Sequence, residues 1–184
     1  MTEGARRIGL VGGECSGKST LAQHLGRAVS ACVVTERLRD FVDISGRNPE
    51  QHEQFALMLE QQAAEDNAAA TCRSGIVIGD SAPLMIAVYS VAYFDDPTLI
   101  EPAVALARGY DLILWCDIDL PWEADGIQRD GPEVRRREHD IIDAIVRRHL
   151  APAGVPVELV SGAVDVRAAA AGRAWQLLAS REPT

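Results

Sequence analysis

The stretch GGECSGKST, which begins at Gly12, constrains the fold of this chain more than any other feature. It fits the pattern G-x-x-x-x-G-K-[ST], with Gly17, Lys18 and Ser19 at its end. That pattern carries meaning only between a strand and a helix. RIGLVG before it has the pattern of a strand, and KSTLAQHLGRAVS after it has the spacing of an amphipathic helix. The sequence therefore predicts a loop that binds the phosphates of a nucleoside triphosphate.

Each part of this loop has a predicted role. The glycines let several backbone N–H groups point inward, and the helix that follows adds its positive end. Lys18 would bring a positive charge to the outer phosphates, and the Ser19 hydroxyl is expected to bind Mg²⁺. The expected ligands are ATP and Mg²⁺. The expected nucleotide-binding residues are Gly12, Gly13, Glu14, Cys15, Ser16, Gly17, Lys18, Ser19 and Thr20.

Short apolar runs alternate along the chain with longer segments of helical period. The apolar runs are RIGLVG, ACVVT, GIVIGD, YDLILWCD and VPVELV. This alternation is typical of a parallel sheet with helices on both faces. We therefore predict an α/β protein with the three-layer P-loop NTPase or kinase fold, a five-stranded parallel sheet and a single domain over residues 1–184.

Three of the predicted helices make specific claims. A long helix is predicted from Pro49 to about Arg73, because proline suits a first helical turn and apolar or long side chains recur at helical spacing. These side chains are Phe55, Met58, Leu59 and Gln62. PTLIEPAVALARG predicts a helix that is kinked or broken at Pro102. The alanine-rich segment from about Val164 to Leu178 predicts the last helix.

Carboxylates follow several of the predicted strands, where ligands gather in open α/β sheets. Asp80 ends the third strand and suits a water-mediated contact with Mg²⁺, so Ser19 and Asp80 are the predicted metal-linked residues. Glu36 lies just beyond the second strand and is a candidate to accept a proton from a substrate hydroxyl. Helix capping by Asp80 and compensation of a helix dipole by Glu36 remain open as structural alternatives. Lys18, Glu36 and Asp80 are predicted to be catalytic.

The segment DLPWEADGIQRDGPEVRRREHD predicts a loop that continues to about Gly131 and is followed by a helix. We interpret residues 120–140 as a lid that closes over the nucleotide, excludes water and brings guanidinium groups to the transferring phosphoryl group. Arg129 lies in the loop and is the predicted catalytic arginine. Arg136 and Arg137 have a solvated, charged helix as an equal alternative.

The charge and the apolar runs exclude two classes of partner. The formal net charge is −9, with 27 acidic and 18 basic side chains, and Lys18 is the only lysine. Nucleic-acid surfaces need an excess of lysine and arginine, so no nucleic-acid partner is expected. No apolar run approaches the ~18 residues of a membrane span, so no membrane association is expected.

The four cysteines bear on the cellular compartment. They are Cys15, Cys32, Cys72 and Cys116, and no pair has the C-x-x-C spacing of a zinc or redox motif. We interpret them as reduced thiols of a cytosolic protein. Since the N-terminus also leads straight into a strand pattern, a cytoplasmic location is predicted. The sequence carries no signal of the oligomeric state.

Four stretches together resemble the nicotinamide riboside kinase domain of the NadR type, a P-loop family related to nucleoside and nucleotide kinases. They are GGECSGKSTLAQHL, TERLRDF, GDSAPLMIAVYSVAYF and YDLILWCDIDLPWEADGIQRD. The resemblance spans about residues 6–150. It implies ATP-dependent phosphorylation of the 5′-hydroxyl of a pyridine nucleoside, nicotinamide riboside above all, to give nicotinamide mononucleotide in NAD biosynthesis.

The resemblance also implies which residues face a small-molecule nucleoside substrate. Tyr93 and Trp122 are aromatic candidates to face the base, and Arg39 and Asp125 are polar ones, with Glu36 at the hydroxyl. For Tyr93, packing in the core is as good an interpretation as stacking on a ligand, because it follows an apolar helix pattern. Trp122 follows a strand end and a proline, where an exposed aromatic side chain is harder to explain by packing.

Two alternatives to this function remain open from the sequence. One is a kinase for another small metabolite. The other is a nucleotide-sensing P-loop ATPase module that signals to a partner. A carboxylate after the second strand together with an arginine-bearing lid favours phosphoryl transfer, because a sensor needs ordered switch segments more than it needs a base for an acceptor.

Overall fold

The structure is a computed structural model that describes residues 4–123 and 131–179. Within these residues, strands and helices alternate along the chain. They are β1 Arg6–Val11, α1 Lys18–Val29, β2 Cys32–Thr35, α2 Arg37–Ser45, α3 Gln54–Thr71, β3 Ile76–Asp80, α4 Leu84–Phe94, α5 Ile100–Ala107, β4 Leu112–Cys116, α6 Pro132–Ile145, β5 Val157–Val160 and α7 Val164–Ala179. A turn of 3₁₀-helix precedes α3, and a π-helical turn follows α6.

The strands form one sheet in the order β2-β3-β1-β4-β5, and every neighbouring pair is parallel. The five predicted strands and their parallel arrangement are therefore confirmed. Because the strands are parallel, all their carboxyl ends meet at one edge. β1 lies at the centre between β3 and β4, so the chain leaves β1 at the crevice where successive connections diverge, which is where ligands bind in such sheets.

Two apolar cores cover the two faces of the sheet. Successive residues of β4 point to opposite faces, so Ile113 and Trp115 pack with α3, α4 and α6, while Leu112 and Leu114 pack with α1 and α7. All four of these side chains are buried. The near-continuous apolar composition of β4 thus reflects burial on both faces, as expected for a central parallel strand.

The apolar side chains whose spacing predicted α3 do not mark its buried face. Phe55 and Leu59 are 47% and 46% exposed, whereas the buried positions include the polar residues Gln61 and Glu65. The reason is that α3 places polar side chains against the sheet, where Gln61 and Glu65 are held by internal hydrogen bonds. Only Met58 of the predicted set is fully buried.

Several helix boundaries also differ from the prediction. The long helix begins at Gln54, so Pro49 lies before it in an extended approach segment and not in its first turn. α5 begins at Ile100, so Pro102 lies in the first turn, where a missing N–H breaks no intrahelical bond, and the predicted kink is wrong. α2, directly after Glu36, was not predicted. The last helix is confirmed over Val164–Ala179.

The cysteine prediction is wrong for one pair. Cys32, at the start of β2, and Cys72, at the end of α3, form a disulfide with a Cα–Cα distance of 5.9 Å. Cys15 and Cys116 are free thiols. Disulfides are rare in cytosolic proteins, so the cysteine argument for a cytoplasmic location fails. Among the described helices, none is long and apolar enough to cross a bilayer.

Candidate active site

The predicted phosphate loop connects β1 to α1 at the centre of the sheet edge. Cys15 and Gly17 both adopt left-handed backbone angles, with φ of 52° and 83°, which turns successive N–H groups toward the inside of the loop. α1 begins immediately afterwards at Lys18, so its unpaired N–H groups face the same space. The loop therefore forms the anion-binding cradle that the sequence predicts.

Lys18 folds back over this cradle. Its Nζ donates hydrogen bonds to the carbonyl oxygens of Gly12 and Gly13, at 2.7 and 3.2 Å. The ammonium group is thereby held over the loop by the loop's own backbone. A charge fixed in this position adds to the field of the inward-pointing N–H groups, so both favour an anion at the same place.

The amino-terminal half of α6 packs directly against the loop. Gly13 must be glycine, because a Cβ at this position would lie 2.7 Å from the carbonyl oxygen of Arg135. Oε2 of Glu138 accepts the N–H of Glu14 at 2.9 Å, while Oε1 of Glu138 is buried without a hydrogen-bond partner. Burial raises the pKa of Glu138 to about 7, opposed first by the charge of Lys18. A carboxyl group with one oxygen still unsatisfied thus lies beside the phosphate cradle.

Arg167 of α7 holds the other side of the loop. Its side chain is buried and donates to the carbonyl oxygen of Ser16 at 2.5 Å, to that of Gly162 at 2.8 Å and to that of Asp117 at 3.2 Å. It also forms an ion pair with Asp119. One guanidinium group therefore joins the phosphate loop to the ends of β4 and β5. Its hydrogen-bond acceptors are three backbone carbonyl oxygens and one carboxylate.

A cavity of about 900 Å³ opens from the phosphate loop toward α2 and α4. Its lining includes the predicted Glu14, Cys15, Ser16, Gly17, Lys18, Ser19 and Thr20 of the loop, and beyond them Glu36, Arg39, Tyr89, Tyr93 and Phe94. The cavity is large enough for a nucleotide and a second small molecule, since ligand pockets commonly span ~300–1,000 Å³. Seven of the nine predicted nucleotide-binding residues, all but Gly12 and Gly13, thus line the same space as three of the five predicted substrate residues.

The charge of this lining is unbalanced. Five carboxylate side chains contribute to it, and in the described part of the lining the cations are Lys18 and Arg39. The carboxylates are Glu14, Glu36, Glu50, Glu123 and Glu138. Away from the loop amides and Lys18, the cavity therefore disfavours additional negative charge and favours neutral or cationic groups.

Glu36 lies at the start of α2, where it faces the cavity. The hydroxyl of Tyr89, from α4, donates to Oε1 of Glu36 at 3.1 Å. Burial raises the pKa of Tyr89 well above its usual value, and the charge of Glu36 raises it further. Tyr89 therefore remains a neutral donor at any ordinary pH and fixes one oxygen of Glu36, while the other carboxylate oxygen is available to a ligand.

Asp80 is placed differently from Glu36. It ends β3 beside Leu10 of β1 and is 7% exposed, and it is not among the residues that line the cavity. Burial raises the pKa of Cys116 to about 11, with the charge of Lys18 lowering it and that of Asp80 raising it. Asp80 therefore lies at the carboxyl end of β3, next to the end of β1 from which the phosphate loop begins.

The remaining predicted residues divide into three groups. Arg39 and Tyr93 line the cavity, and Tyr93 is 45% exposed, so it is not a core residue. Trp122 does not line the cavity, although its neighbours Pro121 and Glu123 do, and its Nε1 is buried without a hydrogen-bond partner. Asp125 and Arg129 lie outside the described residues.

Sequence reasoning missed Tyr89 and Glu138 as members of the site, and it gave no separate role to Arg135, which lies within the predicted lid. Tyr89 was detectable, because it precedes the predicted Tyr93 by one helical turn and so lies on the same face of α4. The ring centroids of these two tyrosines are 6.4 Å apart. Glu138 and Arg135 belong to a charged run in which nothing marks the two buried positions. Arg135 is buried and donates to the carbonyl oxygen of Leu120 at 2.7 Å.

Comparisons with known proteins agree with this architecture. A family profile described as an AAA domain matches residues 7–167. The structure of a NadR protein in complex with NR is similar at a TM-score of 0.72 and 19% identity, over 98% of this chain and 52% of that chain. Thymidylate kinase from Ehrlichia chaffeensis has a TM-score of 0.66 and 14% identity, over 95% and 100% of the two chains. The structure of deoxyadenosine kinase from M. mycoides with bound dATP has a TM-score of 0.60 and 11% sequence identity, over 93% of this chain and 99% of that chain.

At these identities the similarity establishes the fold. The P-loop kinase fold predicted from the sequence is confirmed, and so, at the level of fold, is the resemblance to NadR. This chain spans about half the length of the NadR chains it matches. No curated protein sequence matches the chain.

Proposed function

Since this chain belongs to the AAA-domain family, whose profile covers residues 7–167, we propose that it is an ATP-dependent kinase that phosphorylates a nucleoside hydroxyl. One observation carries the proposal: Glu36 faces the same cavity as the phosphate loop, held there by Tyr89. A carboxylate in that position can accept the proton of an acceptor hydroxyl. The similarity of fold to thymidylate and deoxyadenosine kinases supports the same conclusion.

The phosphate side would bind the triphosphate of ATP. Loop amides and the start of α1 surround the phosphates, and Lys18 leaves its two carbonyl acceptors to contact the outer ones. Ser19 and Asp80 offer one hydroxyl and one carboxylate, which fits Mg²⁺, since that ion keeps several waters and takes one or two protein oxygens. A Mg²⁺ ion held by Ser19 and Asp80 would supply positive charge that offsets the negative charge developing on the phosphates during transfer.

The acceptor side would activate the hydroxyl. Glu36 accepts the hydroxyl proton as the acceptor oxygen bonds to the terminal phosphorus, while the bond from that phosphorus to the bridging oxygen breaks and ADP leaves. Tyr89 keeps the Glu36 carboxylate aimed at the acceptor. In the predicted lid, Arg129 would approach the transferring group, and Arg135 would secure the following helix by its bond to Leu120.

The charge of the cavity favours a nucleoside over a nucleotide as the acceptor. A nucleoside monophosphate would bring two further negative charges among the carboxylates of the lining, where Arg39 is the one cation on the acceptor side among the residues that the structure describes. Nicotinamide riboside carries a pyridinium cation, which suits both these carboxylates and the faces of aromatic rings. A NadR structure has NR bound, and its fold is similar.

We therefore propose nicotinamide riboside as the acceptor, with NAD biosynthesis as the setting. Tyr93, Arg39 and the predicted Trp122 and Asp125 would contact it. Tyr93 lines the cavity with Tyr89 and Phe94, so this part of α4 offers the ring faces for the base. For Trp122 to do the same, its ring would have to enter the cavity when the lid closes.

The test is ATP turnover with a panel of acceptors. Nicotinamide riboside, adenosine, thymidine and their 5′-monophosphates are compared at fixed ATP and Mg²⁺. The expected result is turnover that needs a nucleoside, with the lowest KM for nicotinamide riboside. Preference for a monophosphate would overturn the charge argument. Turnover without any acceptor would overturn the kinase proposal and favour a nucleotide-sensing module.

A further inference from the structure

A network of buried, hydrogen-bonded polar side chains lies beneath the sheet edge, away from the cavity. The hydroxyl of Tyr110 donates to Oε2 of Glu65 at 2.5 Å, and Nε2 of Gln61 donates to Oε1 of Glu65 at 3.0 Å. Oε1 of Gln61 in turn accepts the backbone N–H of Arg37 at 2.9 Å. Gln61 and Glu65 are 2% and 0% exposed. Neither residue lines the cavity, so neither has a place in the chemistry proposed above.

The absence of a side chain at Gly79 of β3 leaves space for this hydrogen-bond network. A Cβ at Gly79 would lie 2.3 Å from Oε1 of Glu65, so β3 carries glycine where the carboxyl group crosses it. Burying an acidic side chain is costly unless its oxygens are bonded, and here both are. Burial nevertheless raises the pKa of Glu65 to about 7, opposed by the bonds from Tyr110 and Gln61.

The hydrogen-bond network ends at the backbone N–H of Arg37, the first residue of α2. The first N–H groups of a helix lack intrahelical partners, and the side chain of the preceding residue often accepts a hydrogen bond from the second or third of them, which leaves the first to another acceptor. The preceding residue is Glu36, which makes no side-chain capping bond. The cap comes instead from Gln61 of α3, and the Glu36 carboxylate extends to Tyr89 and the cavity.

We propose that Gln61 is a positioning residue for Glu36, with its amide orientation set by Glu65 and Tyr110. By capping α2 from another helix, it leaves the Glu36 side chain available for the acceptor and fixes the turn from which that side chain projects. The inference rests on the proposed function in one respect only, which is that Glu36 meets the acceptor.

The order of donors and acceptors in this hydrogen-bond network suggests variants that test the role of Gln61. In Gln61→Glu, two carboxyl groups face each other, and at a pH high enough to ionise both, the central hydrogen bond is lost and like charges repel, so all variants are compared at such an alkaline pH. In Glu65→Gln, every amide orientation leaves one buried donor without an acceptor. In the double variant Gln61→Glu/Glu65→Gln, residue 61 still accepts from the Arg37 N–H, and the amide at 65 both donates to residue 61 and accepts from Tyr110. Swapping the two residues therefore restores every hydrogen bond, but in the central one residue 65 is now the donor and residue 61 the acceptor.

The experiment measures this set of variants in two ways. Amide hydrogen exchange over residues 36–41 reports the cap on α2 and needs no acceptor. Steady-state kinetics with nicotinamide riboside report kcat and KM for the acceptor beside the KM for ATP. Gln62→Glu is the matched control, since Gln62 makes the same type of i,i+4 bond to Asp66 one position along α3, but at the surface.

We expect Gln61→Glu to speed exchange at the start of α2 and to lower acceptor kcat/KM by on the order of 10–10² fold, since small misplacements of a reacting group cost that much. The ATP KM should change little. The double variant should recover both readouts, and Gln62→Glu should alter neither.

Two results would overturn the inference directly, and a third would reduce the cap to a structural role. One is unchanged exchange in Gln61→Glu, and the other is a double variant no better than the single ones. Altered exchange with unchanged acceptor kinetics would also overturn it, because the cap would then be structural only. If wild-type protein phosphorylates no nucleoside, the proposed function fails, and the exchange measurements alone then decide whether Gln61 sets the turn that carries Glu36.

Discussion

The phosphate side and the acceptor side of the cavity are built on opposite plans. The phosphate side is mostly backbone from one continuous stretch, held by Lys18, Glu138 and Arg167. The acceptor side is made of side chains from α2 and α4, with Glu36 fixed by Tyr89 and capped through Gln61. A binding site for a ligand common to many proteins can be local and rigid. A site that selects one acceptor has to be assembled from distant segments whose side chains can vary.

The largest effect is expected on the phosphate side. Lys18→Ala should abolish measurable phosphoryl transfer, because the outer phosphates lose their fixed positive charge. The fold should persist, since Nζ bonds only to the loop's own carbonyls. Turnover and melting temperature are measured beside Arg27→Ala, an exposed change on the same helix. Near wild-type turnover in Lys18→Ala would show that the loop is not the catalytic phosphate site.

The next effect isolates the acceptor side. Glu36→Gln should lower kcat by about 10²–10⁴ fold, because the amide cannot accept the hydroxyl proton. ATP affinity should stay close to wild type, since Glu36 lies away from the loop amides. Asp43→Asn is the control on the same helix, at an exposed position outside the cavity. If Asp80→Asn produces this pattern and Glu36→Gln is mild, the two residues exchange roles.

The third prediction concerns the pH dependence of stability and compares two buried carboxyl groups. Glu138 lies beside the phosphate loop, and Glu65 belongs to the hydrogen-bond network that leads to α2. Burial raises the folded-state pKa of both Glu65 and Glu138 from 4.5 to about 7. Between these values the folded protein binds more protons than the unfolded chain, so unfolding free energy falls as pH rises from about 4.5 to 7. Each group contributes at most about 3 kcal/mol, at 1.36 kcal/mol per pKa unit.

Glutamine variants assign these contributions. Glu65→Gln and Glu138→Gln should each flatten the fall in stability, measured by denaturant unfolding at several pH values. Only Glu138→Gln should also flatten the pH dependence of ATP affinity. The triphosphate's charge favours the protonated form of Glu138, so wild-type affinity should fall as pH rises through about 7. Equal effects of both variants on ATP binding would erase the distinction between the two sides.

The smallest expected effect compares two aromatic residues. A cation over an aromatic face contributes roughly 0.5–2 kcal/mol, so Tyr93→Ala and Trp122→Ala should each raise the KM for nicotinamide riboside several-fold. Tyr93 lines the cavity, so its variant should keep the wild-type melting temperature. Loss of stability with unchanged acceptor selectivity in Trp122→Ala would show that Trp122 packs in the core and does not stack on the base.

The same contrast explains what the sequence could reveal. The phosphate loop, the five strands and Glu36 were predictable, because each depends on neighbouring residues and on the rule that parallel strands end at one edge. The Cys32–Cys72 disulfide joins residues 40 positions apart, so its pairing has no local signal. Glu138 and the polar face of α3 were missed because their burial depends on which helix face meets the loop or the sheet. Apolar spacing does not reveal a helix whose buried side is polar.

The most direct test of the central claim follows the terminal phosphoryl group itself. ATP labelled in its γ-phosphate is incubated with the protein, Mg²⁺ and nicotinamide riboside, and the products are resolved by ³¹P NMR. If the loop and Glu36 form one site, the label appears on the nucleoside 5′-oxygen, and Glu36→Gln suppresses its appearance by about 10²–10⁴ fold. Label that appears only in inorganic phosphate, at a rate independent of the nucleoside, would contradict the account.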